Sequence, residues 1–365
     1  MNKLFISRQI SQIKEEGIEA KWRKLKTISR RLIIFFKIKF KSKKQSDVLY
    51  AFYDLAVSPA TFDIIQFLIL AEQARILSNL GSLHIVVVPG PNEGFRMNDL
   101  QTYNEQGATG YTVHHLEWRK NNILIPCCNL LQSIGGVSTC NSREEVHAIE
   151  SSIVKHIFPK GYTVRSPIQS YYLNLIVNNK GDLPTIKSGN EPRKIINNWI
   201  KLNADGKKII TITLRESKYQ KHRNSNLMAW SNFARGLDNN YFIPVFIRDT
   251  DTVFELSPVE LKGLTIFNEV CFNLELRAAL YELSYINMFV SNGPAFFCRY
   301  LRNSCTLTFK LVNEDMGMNY FTMHGVEYGD QLPPHSVFHK LVWEKDNYET
   351  INKEFEKMCT VISQT

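Results

Sequence analysis

The spacing of apolar and polar positions along the first half of the chain alternates between two periods. Short apolar runs bounded by turn residues predict strands, and apolar residues at three- and four-residue steps predict helices. The predicted elements are strands at 46–59, 82–96 and 121–131 and helices at 61–77 and 142–158. Strands that alternate with helices in this way indicate an α/β unit with a parallel sheet.

The second half repeats this pattern more clearly. The predicted elements are strands at 207–217, 241–251, 287–294 and 305–312 and helices at 226–240, 273–286, 295–302 and 346–362. The helix at 226–240, for example, places Leu227, Trp230 and Phe233 on one face. A second α/β unit is therefore expected.

The composition of the chain predicts a linker between the two halves. The stretch 181–192 is rich in Gly, Pro, Ser and Asn, which is typical of a linker. The resulting division is a tail at 1–46, an N-terminal α/β domain at 47–180, a C-terminal α/β domain at 190–345 and a C-terminal helix at 346–365. Two folded domains also agree with the usual length of about 150 residues per domain.

The positive charge of the chain is concentrated at its N-terminus. The formal net charge is +9, yet residues 1–46 hold 14 Lys and Arg against 3 Asp and Glu, and the remainder holds 30 against 32. A nucleic-acid-binding protein should carry its basic patch on the folded domain, so no nucleic-acid partner is expected. The seven cysteines are odd in number and form no C-x-x-C pair, which favours a reducing compartment over a disulfide framework or a zinc ribbon.

The tail contains a candidate membrane-surface helix over 21–44. Apolar residues recur there at three- and four-residue steps, and basic residues fill the other faces. The apolar positions are Trp22, Leu25, Ile28, Leu32 and Phe36. This pattern is typical of a helix at the surface of an anionic membrane. The alternative is a charged helix that covers the domain or a partner, and the sequence shows neither a membrane-spanning apolar run nor a signal peptide.

Three polar loops of the second half follow the carboxyl ends of predicted parallel strands, at 214–217, 248–251 and 291–294. Ligands of open α/β sheets bind in the crevice outside those ends, so the loops are expected to form one site. The candidate binding residues in them are Arg215, Arg248, Asp249, Ser291, Asn292, Gly293 and Pro294.

The loop Ser291–Pro294 has the composition of an anion-binding turn. Gly293 permits close approach of a ligand or a positive φ, and Pro294 suits the first turn of a helix. The amides that follow, with the helix dipole, can hold a pyrophosphate, and Arg215 can pair with a phosphate through two hydrogen bonds. An ordinary strand-to-helix turn, and an ion pair of Arg215 with Glu216, are the alternatives.

Carboxylates and one histidine suggest further chemistry. Asp249 and Asp251 form a D-x-D triplet, which can hold a divalent metal that bridges a diphosphate. Such triplets arise often by chance, so a turn is favoured and no metal is expected. Asp54 and Glu93 follow strands of the first half and are candidate general bases, and His324 is a third candidate in a long loop. Capping roles for the carboxylates and a surface position for the histidine are the alternatives.

Two segments of the second half resemble glycosyltransferases of the GT-B class. FVSNGPAFFCRYL (289–301) resembles the strand-Gly-Pro-helix segment of the heptosyltransferase type, and ITITLRES (210–217) resembles the strand-Arg segment of fucosyltransferase-like members. With its two α/β halves, a linker and a late helix able to cross back, the chain resembles this class over roughly 47–362. The Gly-rich loop that many members carry at the first strand is absent, and AFYDLAVSP (51–59) stands in its place.

The resemblance implies two Rossmann-like domains that face a cleft, and transfer of a sugar from a nucleotide-sugar donor to a glycan or lipid-linked acceptor of an envelope or capsule polysaccharide. On this likeness Arg215 and Ser291–Pro294 bind the donor. Independently of the likeness, an acidic residue of the first half, Asp54 ahead of Glu93, is expected to activate the acceptor. No cofactor besides the donor is implied. The basic tail resembles that of cell-envelope members, so a peripheral position on the inner, cytoplasmic face of the membrane is expected.

Three other functions remain open at the level of sequence. They are a metal-dependent transferase that uses Asp249 and Asp251, a nucleotide-sugar epimerase on the same fold, and a non-catalytic scaffold that binds a sugar, a nucleotide or a partner protein at a membrane. The chain lacks G-x-G-x-x-G, Walker A, H-E-x-x-H and G-x-S-x-G motifs. The sequence motifs typical of hydride transfer, P-loop hydrolysis and zinc proteolysis are therefore missing, and these activities are not favoured.

Overall fold

A computed structural model of the chain describes most of the sequence after the basic tail. The described residues are 47–152, 156–168, 175–176, 179, 182–312 and 317–365. The predicted membrane-surface helix over 21–44 lies outside them.

The first half contains a four-stranded sheet in which every neighbouring pair is parallel. Its strands are β1 (Val48–Asp54), β2 (Ser82–Val88), β3 (Ile134–Thr139) and β4 (His156–Phe158), in the order β3-β2-β1-β4. Its helices are α1 (Ile64–Leu77), α2 (Asp99–Glu105), α3 (Val113–Arg119), α4 (Ile125–Cys128) and α5 (Arg143–Ser152), with a π-helical turn at Lys120–Leu124 between α3 and α4.

The second half contains a six-stranded sheet that is also parallel throughout. Its strands are β5 (Lys208–Thr213), β6 (Phe242–Ile247), β7 (Thr265–Ile266), β8 (Ile286–Val290), β9 (Thr306–Phe309) and β10 (His339–Leu341), in the order β10-β9-β8-β5-β6-β7. Its helices are α6 (Asn190–Asn203), α7 (Leu227–Gly236), α8 (Glu269–Phe272), α9 (Leu274–Leu283), α10 (Gly293–Arg299), α11 (Met318–Thr322) and α12 (Tyr348–Gln364). Two short 3-10 turns lie at Lys221–Arg223 and Val259–Leu261.

The predicted fold class is therefore confirmed: two α/β units with parallel sheets face each other across a cleft. In the central strands, apolar and polar residues do not alternate along the sequence, and burial explains why. Every residue of β8 is buried, because helices cover both faces of a parallel sheet and leave no solvated side. One apolar cluster includes residues of both halves, among them Ile65 of α1 and Leu280 of α9, so the halves share a continuous core.

The predicted strand at 121–131 is wrong, because the segment is helical through the π-helical turn and α4. A short apolar run fits a buried helix as well as a strand, and periodicity alone does not separate them. Leu124 and Cys128 are fully buried in the shared core. The third strand is instead Ile134–Thr139, which contains two glycines and is only partly buried at the sheet edge.

Other boundaries also differ from those predicted. The helix predicted at 142–158 ends at Ser152, and β4 follows it. Helix α6 begins at Asn190, inside the last three residues of the predicted linker, and packs against α9. The buried residues of the last helix, Ile351, Phe355 and Met358, belong to the core of the second half. Helix α12 packs on α7, where the rings of Phe355 and Phe233 lie 5.2 Å apart.

Candidate functional site

A cavity of about 590 Å³ lies between the two halves, at the carboxyl ends of β5, β6 and β8. On the side of the second half it is lined by the three polar loops that follow those strands. On the side of the first half it is lined by the entry to α1, around Thr61–Asp63, and by side chains of α2 and α3 and the loop between them. It is the place where a ligand of this fold is expected.

All seven of the binding residues predicted from the sequence line this one cavity. They are Arg215, Arg248, Asp249, Ser291, Asn292, Gly293 and Pro294. They meet because β5 pairs with both β6 and β8 in parallel, which brings the three strand ends to the same sheet edge. Their roles in ligand binding stay predictions.

Arg215 is buried and holds the loop that follows β5. Its Nη1 donates to the carbonyl of Gln220 (2.9 Å) and to Oδ1 of Asn224, and its Nη2 donates to the carbonyl of Tyr219. Burial and the nearby charge of Arg223 lower the pKa of Arg215 to about 10. A guanidinium in this setting gains from a bound anion, because an anion would offset the cost of its desolvation.

The ion pair that was the alternative for Arg215 belongs instead to Arg248. Only 2% of the Arg248 side chain is exposed, and its Nε and Nη2 donate to the Glu216 carboxylate at 3.0–3.3 Å. Its Nη1 donates to the carbonyl of Glu255 (3.2 Å). Arg248 therefore braces the cavity wall, and its charge is already compensated.

The D-x-D carboxylates are engaged in hydrogen bonds of the loop. Asp249 accepts from the amides of Glu216 (3.2 Å) and Asp251 (3.3 Å), and burial together with the charge of Asp251 raises the pKa of Asp249. Asp251 accepts from the Tyr111 hydroxyl (2.6 Å) and the Ser217 hydroxyl (3.0 Å). Within the described part of the chain, no group of three or more His, Cys, Asp and Glu residues could hold a metal. The carboxylates thus shape the loop and join the two halves.

The turn Ser291–Pro294 is built as a helix N-terminus. The Asn292 side chain accepts from the Ala295 amide (2.9 Å), which is a helix N-cap, and Pro294 lies in the first turn. Gly293 does not have a positive φ. A Cβ at this position would lie 2.5 Å from Cδ2 of Phe62, so the glycine is required by close approach of a side chain from the first half.

Gly293→Ala is expected to lower the free energy of unfolding by about 1–3 kcal/mol, because the added methyl group overlaps the Phe62 ring. Chemical denaturation measures the change. Gly317→Ala is the matched control: no atom of the described residues lies within 4 Å of its added Cβ, and its φ is ordinary. If Gly293→Ala costs the same in a Phe62→Ala background, the overlap is not the cause.

The charge of the cavity wall is strongly positive. Among the described lining residues, the arginines number seven: Arg96, Arg119, Arg215, Arg223, Arg248, Arg277 and Arg299. The carboxylates number three: Asp63, Asp249 and Asp251. Arg96 is ion-paired with Asp99 and Arg248 with Glu216, and the other five arginines still outnumber the carboxylates. A cleft with this balance concentrates anions from solution.

Asp54, the first candidate base, is a buried ion-pair partner and does not line the cavity. Only 3% of the residue is exposed. Its carboxylate accepts from Nη1 and Nη2 of Arg143 (2.9 and 3.0 Å), the Tyr162 hydroxyl (2.8 Å) and the Ala56 amide (2.9 Å). This arrangement ties β1 to α5 and favours a structural role.

Asp54→Asn is expected to destabilise the fold by about 2 kcal/mol, because the amide places a donor against the Arg143 guanidinium and removes a buried charge pair. Thermal or urea unfolding measures this change. Glu93→Gln, an exposed position in a surface turn, should stay within about 0.5 kcal/mol. A fully stable Asp54→Asn protein would contradict the structural role.

The other two candidate bases also lie away from the cavity wall. Glu93 is exposed in a tight turn that is closed by the pairing of Gly90 with Gly94, and it has a positive φ of 47°. His324 follows α11 and is buried, with 6% of the residue exposed, so it is not the surface histidine of the alternative interpretation.

One carboxylate of the first half does line the cleft, and it was not among the candidate bases predicted from the sequence. Asp63 directly precedes α1, is exposed, and lines the cavity. The Thr61 hydroxyl donates to its Oδ2, and no ion-pair partner is present among the described residues. An acidic residue at this place resembles a helix cap in sequence, yet its side chain makes no capping hydrogen bond.

Among the residues that the structure describes, no helix combines the length and the apolar composition that crossing a lipid bilayer requires.

Comparison with known proteins gives structural likenesses only. No family model and no curated protein matches the chain. The chain is similar to the crystal structure of the glycosyl transferase family 9 from Veillonella parvula, with a TM-score of 0.48 and 10% identity over 86% of this chain and 97% of that chain. It is also similar to two structures of the wall teichoic acid polymerase TagF, with TM-scores of 0.35 and 0.34, 11% and 12% identity, and coverage of 96% of this chain and 91% of those chains. At this level of similarity, function has to be inferred from the cleft itself.

Proposed function

We propose that the chain is a glycosyltransferase that binds a nucleotide-sugar donor in the cleft. The observation that carries this proposal is the excess of arginines over carboxylates on a cavity at the carboxyl ends of a parallel sheet. A nucleoside diphosphate sugar is a ligand of suitable charge and size, since its diphosphate is anionic and a cavity of about 590 Å³ lies within the range of small-molecule sites.

The diphosphate lies against the second half in this proposal. Arg215 and Arg277 provide positive charge at the cavity wall, and the loop at Ser291–Pro294 provides the neighbouring backbone. Groups that are fixed before the reaction stabilise the charge that develops on the leaving diphosphate, and they act most strongly in a cleft with little water. The charge of Arg248 is already neutralised by Glu216, so Arg248 contributes by holding the cavity wall in place.

The acceptor enters from the first half, where Asp63 is the proposed general base. The acceptor hydroxyl oxygen attacks the anomeric carbon of the donor sugar, and its proton passes to the Asp63 carboxylate. The bond between the anomeric carbon and the phosphate oxygen breaks, and the nucleoside diphosphate leaves with that electron pair. Asp63 replaces Asp54 and Glu93 in this role, because it is the one of the three that lines the cavity.

The proposed acceptor is a growing glycan or a lipid-linked sugar of an envelope or capsule polysaccharide, met at the inner face of the cell membrane. The basic tail supports this, because 14 Lys and Arg against 3 acids in 1–46 suit an anionic lipid surface.

Incubation of the purified protein with a panel of nucleotide sugars and sugar acceptors tests the proposal. Release of a nucleoside diphosphate together with a glycosylated acceptor is expected, and activity should persist in a chelator, since Asp249 and Asp251 are held by hydrogen bonds of the loop. Chelator-sensitive transfer would indicate the metal-dependent alternative. An epimerised sugar without transfer would indicate an epimerase, and no turnover of any donor would indicate a scaffold.

A further inference from the structure

Arg299 is a buried guanidinium with no ion-pair partner among the residues that the structure describes. It belongs to α10, lines the cavity, and has 3% of its surface exposed. Its Nη2 donates to the carbonyls of Leu332 and Pro333, while its Nε is buried without a hydrogen-bond partner. Buried charges in proteins are normally paired, so a bound anion would compensate the charge of the Arg299 guanidinium.

Thr308 places a second unsatisfied polar group on the same cavity. Its Oγ1 is buried and has no hydrogen-bond partner in the described structure. Thr308 lies in β9 beside Leu341 of β10. The neighbouring threonine on the same face, Thr306, is satisfied by Nδ1 of His339 at 3.1 Å, so an unpartnered hydroxyl is not the rule on this strand. A hydroxyl and a guanidinium can both donate to one oxyanion.

Apolar side chains of the cavity wall lie beside both groups, since Arg299 donates to the carbonyl of Leu332 and Thr308 pairs with Leu341. Leu311, Phe321, Leu332 and Leu341 line the cavity and belong to one small hydrophobic cluster that packs beside β9 and β10. Together with Arg299 and Thr308 they define what is called here the Arg299 pocket. An apolar wall around one cation and one hydroxyl strengthens any hydrogen bond to an anion, because little water competes.

We propose that the Arg299 pocket binds an oxyanion, a carboxylate or a phosphate carried by a substrate of the cleft, through the guanidinium of Arg299 and the hydroxyl of Thr308. The proposal goes beyond the site of the donor diphosphate, since it assigns to the cleft a second place for negative charge. It rests on the proposed function only in identifying that group with a substrate, and the binding itself is measured without turnover. The substrate class it implies is an acidic sugar or a sugar phosphate.

Binding to the full-length protein tests this directly by isothermal titration with sodium glucuronate, inorganic phosphate and neutral glucose, each with and without a saturating nucleoside diphosphate. Binding of glucuronate, phosphate or both is expected, with glucose silent and the nucleoside diphosphate unable to displace the anion. A preference for glucuronate identifies the acidic sugar as the source, and a preference for phosphate identifies the sugar phosphate.

Thr308→Val keeps the shape of the buried side chain and removes the hydroxyl, and it should weaken anion binding by about tenfold. Arg299 also holds the carbonyls at 332–333, so Arg299→Lys, which keeps the charge, is the second variant and should weaken binding further. Unchanged affinity in Thr308→Val, displacement by the nucleoside diphosphate, or no binding of either anion would each overturn the proposal. If the protein binds the anion but transfers no sugar from any nucleotide sugar of the panel, the proposed function is rejected. The assignment of the Arg299 pocket as an oxyanion site would still hold.

Discussion

Asp63→Asn is expected to lower the rate of sugar transfer by about 10²–10⁴-fold, the usual contribution of a general base. The asparagine keeps the size of the side chain and removes its ability to take the acceptor proton. Because Asp63 lies on the first half of the cleft, affinity for the nucleoside diphosphate should change little. Steady-state rates at saturating donor, together with titration of the nucleoside diphosphate, separate the two effects.

Glu93→Gln is the matched control for Asp63→Asn. It removes a carboxylate from the same half of the protein, at an exposed turn outside the cavity, and should leave the rate within about twofold. If Glu93→Gln slows sugar transfer and Asp63→Asn does not, the general base is Glu93 and not Asp63.

Arg215→Ala is expected to weaken binding of the nucleoside diphosphate by about 10–100-fold, the range for loss of charge-assisted hydrogen bonds. Two causes add: the cavity loses a cation, and the loop residues Tyr219, Gln220 and Asn224 lose the donor that holds them. Isothermal titration measures the affinity, and circular dichroism checks that the protein is folded.

Two variants sharpen this prediction. Arg215→Lys keeps the charge and loses the fork of donors, so its affinity should fall between those of the wild type and Arg215→Ala. Arg235→Ala removes an exposed arginine of the same half that lies outside the cavity, and it should bind as the wild type does. Unchanged affinity in a folded Arg215→Ala protein would remove Arg215 from the donor site.

The location of the site could be predicted from the sequence, because it follows from the topology of the sheet. Arg215, Asp249 and Ser291 lie more than 30 residues apart along the chain, yet each follows a parallel strand. Strand ends of one parallel sheet meet at one edge, so recognising the strands was enough to bring the loops together.

The role of each side chain could not be predicted in this way, because it depends on contacts between segments that are distant in the sequence. Glu216 pairs with Arg248 instead of Arg215, which depends on how the loop after β5 folds back. Asp54 and Asp63 flank the same connection from β1 to α1, and only the packing of Arg143 from α5 shows which of them is buried and which faces the cleft. Gly293 is explained by Phe62, more than 200 residues earlier in the chain.

The helical segment around α4 shows a different limit. Its apolar residues gave the composition of a buried strand, whereas the half-exposed edge strand β3, with its two glycines, gave no clear pattern at all. Burial of the segment against α1 and α9 selected a helix, since tertiary packing outweighs local propensity in short elements.

Thermal unfolding of the purified wild-type protein with a panel of nucleoside diphosphates tests the central claim most directly. A ligand at 100 times its dissociation constant stabilises the folded state by about 2.7 kcal/mol, so at least one nucleoside diphosphate should raise the midpoint by a few degrees, and the corresponding nucleoside should not. If no nucleoside diphosphate of the panel shifts the midpoint, the cleft is not a donor site and the glycosyltransferase assignment fails.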